Sequence, residues 1–198
     1  MDVDFDRIIG DRRVMAILRG LPPDETVAVA GRLWDAGVEL LEVPIGTPDA
    51  VLSLRAAVTA GRDRGLRVGA GTVVTPAQAR LAAAEGAQYT VAPGLDLTVL
   101  AASLAAGLPH LPGVATATEV QHARAAGCRW LKAFPAKALG TDWLRAVRAP
   151  FPDVRFVATG GLTVADVPAF LAAGVRVVAL GSALADPAQR AALADLLA

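Results

Sequence analysis

The sequence predicts a (β/α)8 barrel, and three observations carry that expectation: eight short apolar runs, alanine-rich segments of helical spacing between them, and a glycine recurring at four junctions where a helix gives way to a strand. The apolar runs are residues 14–18, 40–43, 67–71, 89–92, 110–113, 129–134, 154–158 and 175–180. Helical segments are expected at 24–36, 47–64, 75–85, 118–126, 141–148 and 163–173, several opening on Asp or Thr as an N-cap, with Pro close behind in some. The repeated glycine stands in DAGVELLEV, AEGAQYTVA, AAGCRWLKAF and AAGVRVVAL, where a left-handed residue closes a helix. One repeated βα module implies a parallel sheet with right-handed crossovers, closed as a barrel or open as a doubly wound sheet; eight runs favour the barrel. A chain of 198 residues with 54% apolar composition and no linker is expected to form one domain over 1–198. A short extra helix before Val14 is expected to cover the bottom of the barrel.

The balance of charge bounds the partners. Nineteen basic and nineteen acidic side chains cancel, so no net field draws the chain to nucleic acid or to an anionic membrane. The start, MDVDFDRIIG, lacks the basic and apolar character of a secretory signal, and no uncharged stretch reaches membrane-spanning length. A cytoplasmic protein is the expectation. Cys128 is the only cysteine, which excludes an intramolecular disulfide or a thiolate metal cluster. Seventeen of the basic residues are arginine; Lys132 and Lys137 are the only lysines.

In a parallel barrel, reactive groups stand at the carboxyl ends of strands, so polar residues closing apolar runs are the candidates. Lys132 in RWLKAFP shares a strand face with Trp130 and Phe134. Burial there disfavours an ammonium and supplies the neutral amine that attacks a carbonyl; the alternatives are a snorkelling lysine or a core ion pair. Lys137, after Pro135, is expected in a solvated loop. Glu42 interrupts LLEVP and is suited to moving protons beside Lys132, or else forms a salt bridge to Arg19. Arg19 closes the first strand and can grip a carboxylate through two hydrogen bonds, though alone it is equally a surface arginine. Thr72 after the third strand offers a hydroxyl to a carboxylate or caps the next helix. Two turns, Thr159-Gly160-Gly161 and Gly181-Ser182, follow strands one βα unit apart, and their backbone amides can cup a phosphate because no Cβ holds the anion away.

Taken together and in this order, AILRG, LEVP, GAGTV, VAPGL, LPGVATATE, LKAFPA, TGG and LGS make the chain resemble the bacterial 2-dehydro-3-deoxy-phosphogluconate / 4-hydroxy-2-oxoglutarate aldolases, including their phosphogalactonate branch. The resemblance runs nearly end to end. It implies a homotrimeric barrel that cleaves a phosphorylated sugar acid through a Schiff base on Lys132, with Glu42 as general acid/base and Thr72 at the pyruvate end. It also puts Phe134 beside the imine, Pro93 against pyruvate, and phosphate on Gly160, Gly161, Gly181 and Ser182 with Thr159 beside them. Such chemistry calls for no metal and no organic cofactor, and His110 and His122, the only histidines, lie in different segments. One position departs: Gly46 stands where some relatives carry an arginine, and Arg19 is expected to supply that charge from the neighbouring strand. Two other readings stand: a phosphate-binding barrel isomerase or transferase in which Lys132 is only an electrostatic group, and a noncatalytic phosphosugar-binding barrel.

Overall fold

The computed structural model describes residues 5–197, leaving residues 1–4 and 198 of the expected domain outside the description. Among the described residues nine parallel strands, β1 (Val14–Ile17), β2 (Leu40–Pro44), β3 (Val68–Gly71), β4 (Thr90–Val91), β5 (His110–Leu111), β6 (Gly113–Val114), β7 (Trp130–Ala133), β8 (Arg155–Thr159) and β9 (Val177–Leu180), form one sheet. Their order is β5-β4-β3-β2-β1-β9-β8-β7-β6. The outermost two are halves of one expected strand, divided at Pro112, so the ring closes through the chain itself and the architecture is the expected (β/α)8 barrel. The division has a chemical cause: proline has no N–H to donate, and the segment changes partner there, from β4 to β7.

Strand alternation sorts the core into two layers. Met15, Ile17, Leu40, Tyr89, Val91, Leu111, Trp130, Val157, Val177 and Ala179 fill the barrel interior, whereas alternate residues such as Ala16, Leu41, Val68, Leu131 and Phe156 face the helices. The short helix α1 (Asp6–Ile9) falls before Val14 as expected, and Phe5, Ile8 and Ile9 join the interior cluster. Phe5 meets the Tyr89 ring edge-on at 5.6 Å between centroids, and Trp130 Nε1 donates to Asp6 Oδ1 at 2.8 Å.

The helical layer comprises α2 (Pro23–Asp35), α3 (Pro48–Asp63), α4 (Pro76–Ala84), α5 (Leu97–Ala105), α6 (Ala117–Ala125), α7 (Ala136–Arg148), α8 (Val167–Ala172) and α9 (Pro187–Leu197). Several starts differ from expectation for local reasons. The cap of α6 is Thr116, not Thr118: its hydroxyl accepts from the Glu119 N–H while the Glu119 carboxylate accepts from the Thr116 N–H. Helix α7 joins two helical segments at Gly140, whose φ of 75° and ψ of 169° are non-helical; the expected helix 141–148 forms as the second, and a short segment from Ala136 precedes it. Before α8 the backbone runs as a tight 3-10 turn over Val164–Asp166, with Pro168 in the first turn of the helix. Helix α5, capped by Asp96 accepting from the Thr98 and Val99 N–H groups, and helix α9 lie in stretches to which the pattern assigned no helix. Among the described residues no helix is long and apolar enough to cross a membrane.

Candidate active site

The strand register gathers the reactive side chains. Glu42 is paired with Ile17 on one side and Gly69 on the other, while Lys132 lies across the barrel between Gly113 and Val157. Both have interior parity, at the upper ends of their strands. Lys132 is 5% exposed and Glu42 1%, with Lys132 Nζ 3.9 Å from Glu42 Oε2 and 5.4 Å from the centre of the Phe134 ring. At that distance the two charges attract by about 4 kcal/mol for an effective dielectric of about 20. Removing both from water costs several kcal/mol for each ion, so the pair is a poor device for stability. Glu42 Oε1 is also buried with no hydrogen-bond partner among the described residues, the kind of unmet acceptor that marks a functional position.

The carboxylate has room because Gly71 faces it. Gly69 and Gly71 have interior parity on β3; a Cβ on Gly71 would lie 1.9 Å from Glu42 Oε1, and one on Gly69 would lie 2.1 Å from the Tyr89 ring. Tyr89, wholly buried, donates its hydroxyl to the Leu41 carbonyl at 2.5 Å. Burial first, and the nearby Glu42 charge second, push the Tyr89 hydroxyl well above its ordinary pKa and keep it protonated. Tyr89 and both glycines form the site without standing out among the charged and hydroxyl-bearing candidates of the sequence. Their signal was the GxG spacing of GAGT, which on a strand opens two consecutive interior positions.

Thr72 would by alternation point outward with Val68 and Ala70. Its φ of 57°, the only positive value among described non-glycine residues, breaks the alternation. Its hydroxyl instead lies 3.5 Å from Arg19 Nη2. Thr72 therefore does not cap α4; Thr75 does, accepting from the Gln78 N–H at 3.2 Å. Arg19 is exposed and engages Thr72, and Glu42's ionic partner is Lys132, so the alternative of an Arg19–Glu42 bridge is not what forms.

A cavity of about 530 Å³ opens above this pair. Arg19, Lys132, Phe134, Thr159, Gly160, Gly161, Gly181 and Ser182, eight of the eleven expected site residues, line it. Glu42 is buried behind Lys132, and Thr72 adjoins the cavity through Arg19. Pro93 follows β4, where its carbonyl packs so closely on Gly113 that a Cβ there would come within 2.1 Å. The two glycine turns lie at the ends of adjacent strands β8 and β9, with Gly160 and Gly161 at φ 104° and 74°, a backbone that side-chain-bearing residues rarely adopt. Glu25, Arg32 and Arg190 also reach the cavity and were not anticipated; nothing in their sequence setting separates them from surface charges. Lys137 is exposed to solvent as expected, but it stands in the first turn of α7 and not in a loop, ion-paired with Asp166 at 2.6 Å. No group of three or more His, Cys, Asp or Glu side chains converges as a metal site among the described residues.

An open-topped parallel barrel with a buried amine–carboxylate pair below two glycine turns defines a class: barrels equipped for carbonyl chemistry on small anions. The chain belongs to the KDPG and KHG aldolase family, whose sequence profile matches residues 5–195, and aldolases are lyases. It is 38% identical over 172 residues to the 2-dehydro-3-deoxy-6-phosphogalactonate aldolase of Escherichia coli, covering 86% of this chain and 83% of that protein. It is 36% identical over 184 residues to the 2-dehydro-3-deoxy-phosphogluconate aldolase of Treponema pallidum, covering 92% and 86%. Among solved structures it resembles the KDPG aldolase of Legionella pneumophila with pyruvate captured as a covalent carbinolamine, at a TM-score of 0.87 and 27% identity over 100% of this chain and 98% of that one.

Proposed function

We propose that this protein is a Schiff-base aldolase that cleaves 2-dehydro-3-deoxy-6-phosphogluconate, or its phosphogalactonate epimer, to pyruvate and glyceraldehyde 3-phosphate. The observation that carries the reading is the 3.9 Å approach of Lys132 Nζ to Glu42 Oε2, both buried, at the base of a cavity that opens onto the glycine turns. The unprotonated amine of Lys132 attacks the ketone carbon to form a carbinolamine, and Glu42 passes a proton to its hydroxyl, which leaves as water as the carbon–nitrogen double bond of the iminium forms. The iminium draws the electrons of the bond between the third and fourth carbons as the fourth-carbon hydroxyl gives up its proton. Glyceraldehyde 3-phosphate leaves; the remaining enamine takes a proton at the third carbon, and hydrolysis returns pyruvate and free Lys132. Arg19 and Thr72 hold the carboxylate, Pro93 and Phe134 flank the pyruvate end, and the amides of Gly160, Gly161, Gly181 and Ser182, beside Thr159, hold the phosphate. Gripping both ends aligns the scissile bond. The family resemblance supports a homotrimer working in the cytoplasm, the first of which sedimentation equilibrium measures directly.

Borohydride reduction in the presence of pyruvate, followed by peptide mass analysis, tests the reading. A covalent three-carbon label on Lys132, absent from Lys132→Ala, is expected, together with pyruvate release in a coupled assay across the gluconate, galactonate and 4-hydroxy-2-oxoglutarate substrates. An unlabelled Lys132 points to the isomerase or transferase alternative, and three inert substrates overturn the assignment.

A further inference from the structure

The second lysine has a place in the structure that the proposed chemistry does not use. Lys137 touches the Gly160–Gly161 turn at two points and is tied to the segment that follows it by a third contact. Its N–H donates to the Gly160 carbonyl at 3.0 Å, and its Cβ packs where a Cβ on Gly161 would lie only 3.0 Å away. Its ammonium donates to Asp166 Oδ1 at 2.6 Å. The other oxygen of Asp166 accepts from the Thr163 N–H at 2.9 Å and the Thr163 hydroxyl at 3.0 Å. Lys137 and Asp166 thus tie both ends of the turn, residues 160 and 163, to the first turn of α7. The Lys137 bond, ahead of those from Thr163, holds the Asp166 carboxyl below the ordinary carboxylate range. Lys137 does not line the cavity, so it reaches the site through the turn it packs against.

We propose that Lys137 and Asp166 are positioning residues that latch the Gly160–Gly161 turn in its anion-binding shape and thereby set the preference for phosphorylated over unphosphorylated substrates. This rests on the reading of that turn as a phosphate cup. Backbone amides bind an anion well only when fixed in advance, since a loose turn must be ordered at the moment of binding. The glycines that give the turn its left-handed backbone also leave it the freedom that the latch removes.

The test compares wild type, Lys137→Met, Lys137→Arg and Asp166→Asn by three measurements: inhibition by inorganic phosphate, KM and kcat for the phosphorylated substrates, and the rate of borohydride trapping with pyruvate. For Lys137→Met the phosphate inhibition constant and the KM of the phosphorylated substrates rise about fivefold, the factor a half-exposed ion pair can carry. Trapping with pyruvate, which carries no phosphate, stays within about twofold. Lys137→Arg restores the wild-type values. Asp166→Asn keeps the Thr163 contacts but loses the ion pair, and it weakens phosphate binding as Lys137→Met does. Unchanged or tighter phosphate binding in Asp166→Asn overturns the latch, because it would mean that Lys137 acts on phosphate directly or not at all. Equal losses in phosphate and pyruvate measurements overturn it as well. Failure of the wild-type protein to trap pyruvate refutes the aldolase reading instead, so the two failures are told apart.

Discussion

Replacing Gly71 with alanine puts one methyl group where the structure leaves space only for Glu42. The added carbon would lie 1.9 Å from Glu42 Oε1, 2.6 Å from Cδ and 2.7 Å from Cγ, roughly 1.5 Å short of the 3.4 Å at which ordinary contact begins. The carboxylate is 1% exposed and has no free side to retreat to, so the strand or the carboxylate must shift by on the order of 1 Å. A displacement of about 1 Å between reacting groups costs about a hundredfold in rate, and overpacking of this kind costs about 1–3 kcal/mol of stability. The expected result for Gly71→Ala is therefore a kcat for pyruvate release lowered about a hundredfold, with inhibition by inorganic phosphate unchanged because the glycine turns lie on other strands. Gly46→Ala is the control: its Cβ would meet Thr72 Cγ2 at an ordinary 3.8 Å, and activity stays near wild type. A Gly71→Ala protein that folds and keeps kcat within about threefold of wild type would refute the argument that Glu42 is held in one productive position.

Three further outcomes follow from the same geometry. Arg19→Met removes a charge-assisted contact worth about 1.5–3 kcal/mol, so the pyruvate concentration giving half-maximal borohydride trapping rises about ten- to a hundredfold, while Arg19→Lys recovers only part of the loss. Tyr89→Phe deletes the buried bond to the Leu41 carbonyl and lowers the free energy of unfolding by about 1–2 kcal/mol, read from urea midpoints. His110, whose Nδ1 lies 2.8 Å from Thr90 Oγ1, is pushed down by burial from 6.5 to about 4. Between those values the unfolded chain binds a proton that the native state refuses; stability is whole above 6.5 and falls as pH drops toward 4, by on the order of 3 kcal/mol. His110→Leu flattens that acid limb; an identical pH slope in the variant would show that the loss comes from other groups.

Much of this was legible in the sequence because strand alternation and barrel polarity are strict rules. Lys132 and Glu42 stood out as charged residues in apolar strands, and the register brings them together. The paired glycine turns were legible because they recur one βα unit apart. Thr72 was named for its hydroxyl, but alternation alone aims it the wrong way, and only its left-handed backbone turns it toward Arg19. Lys137 was misplaced in a loop because Pro135 reads as a terminator, whereas proline is compatible with the residue just before a helix and α7 starts at Ala136. Gly71 was passed over because a glycine's role here is the volume it leaves to a side chain from the adjacent strand, which no local pattern displays. The division at Pro112 was hidden for a similar reason: residues 110–113 read as one apolar run, and the change of partner depends on strands far away in the chain.

That division gives the barrel a seam. Every other neighbouring pair of strands is joined by a ladder of hydrogen bonds, but β5 and β6 are joined by Pro112 alone, a link that bends but cannot unzip. The Lys132 N–H is fastened to the Pro112 carbonyl at 2.8 Å, so the nucleophile's own backbone is anchored on the closure point of the ring. A shift of the ring at that link would reach the Lys132 backbone through one hydrogen bond, without passing through the hydrophobic layers on either side.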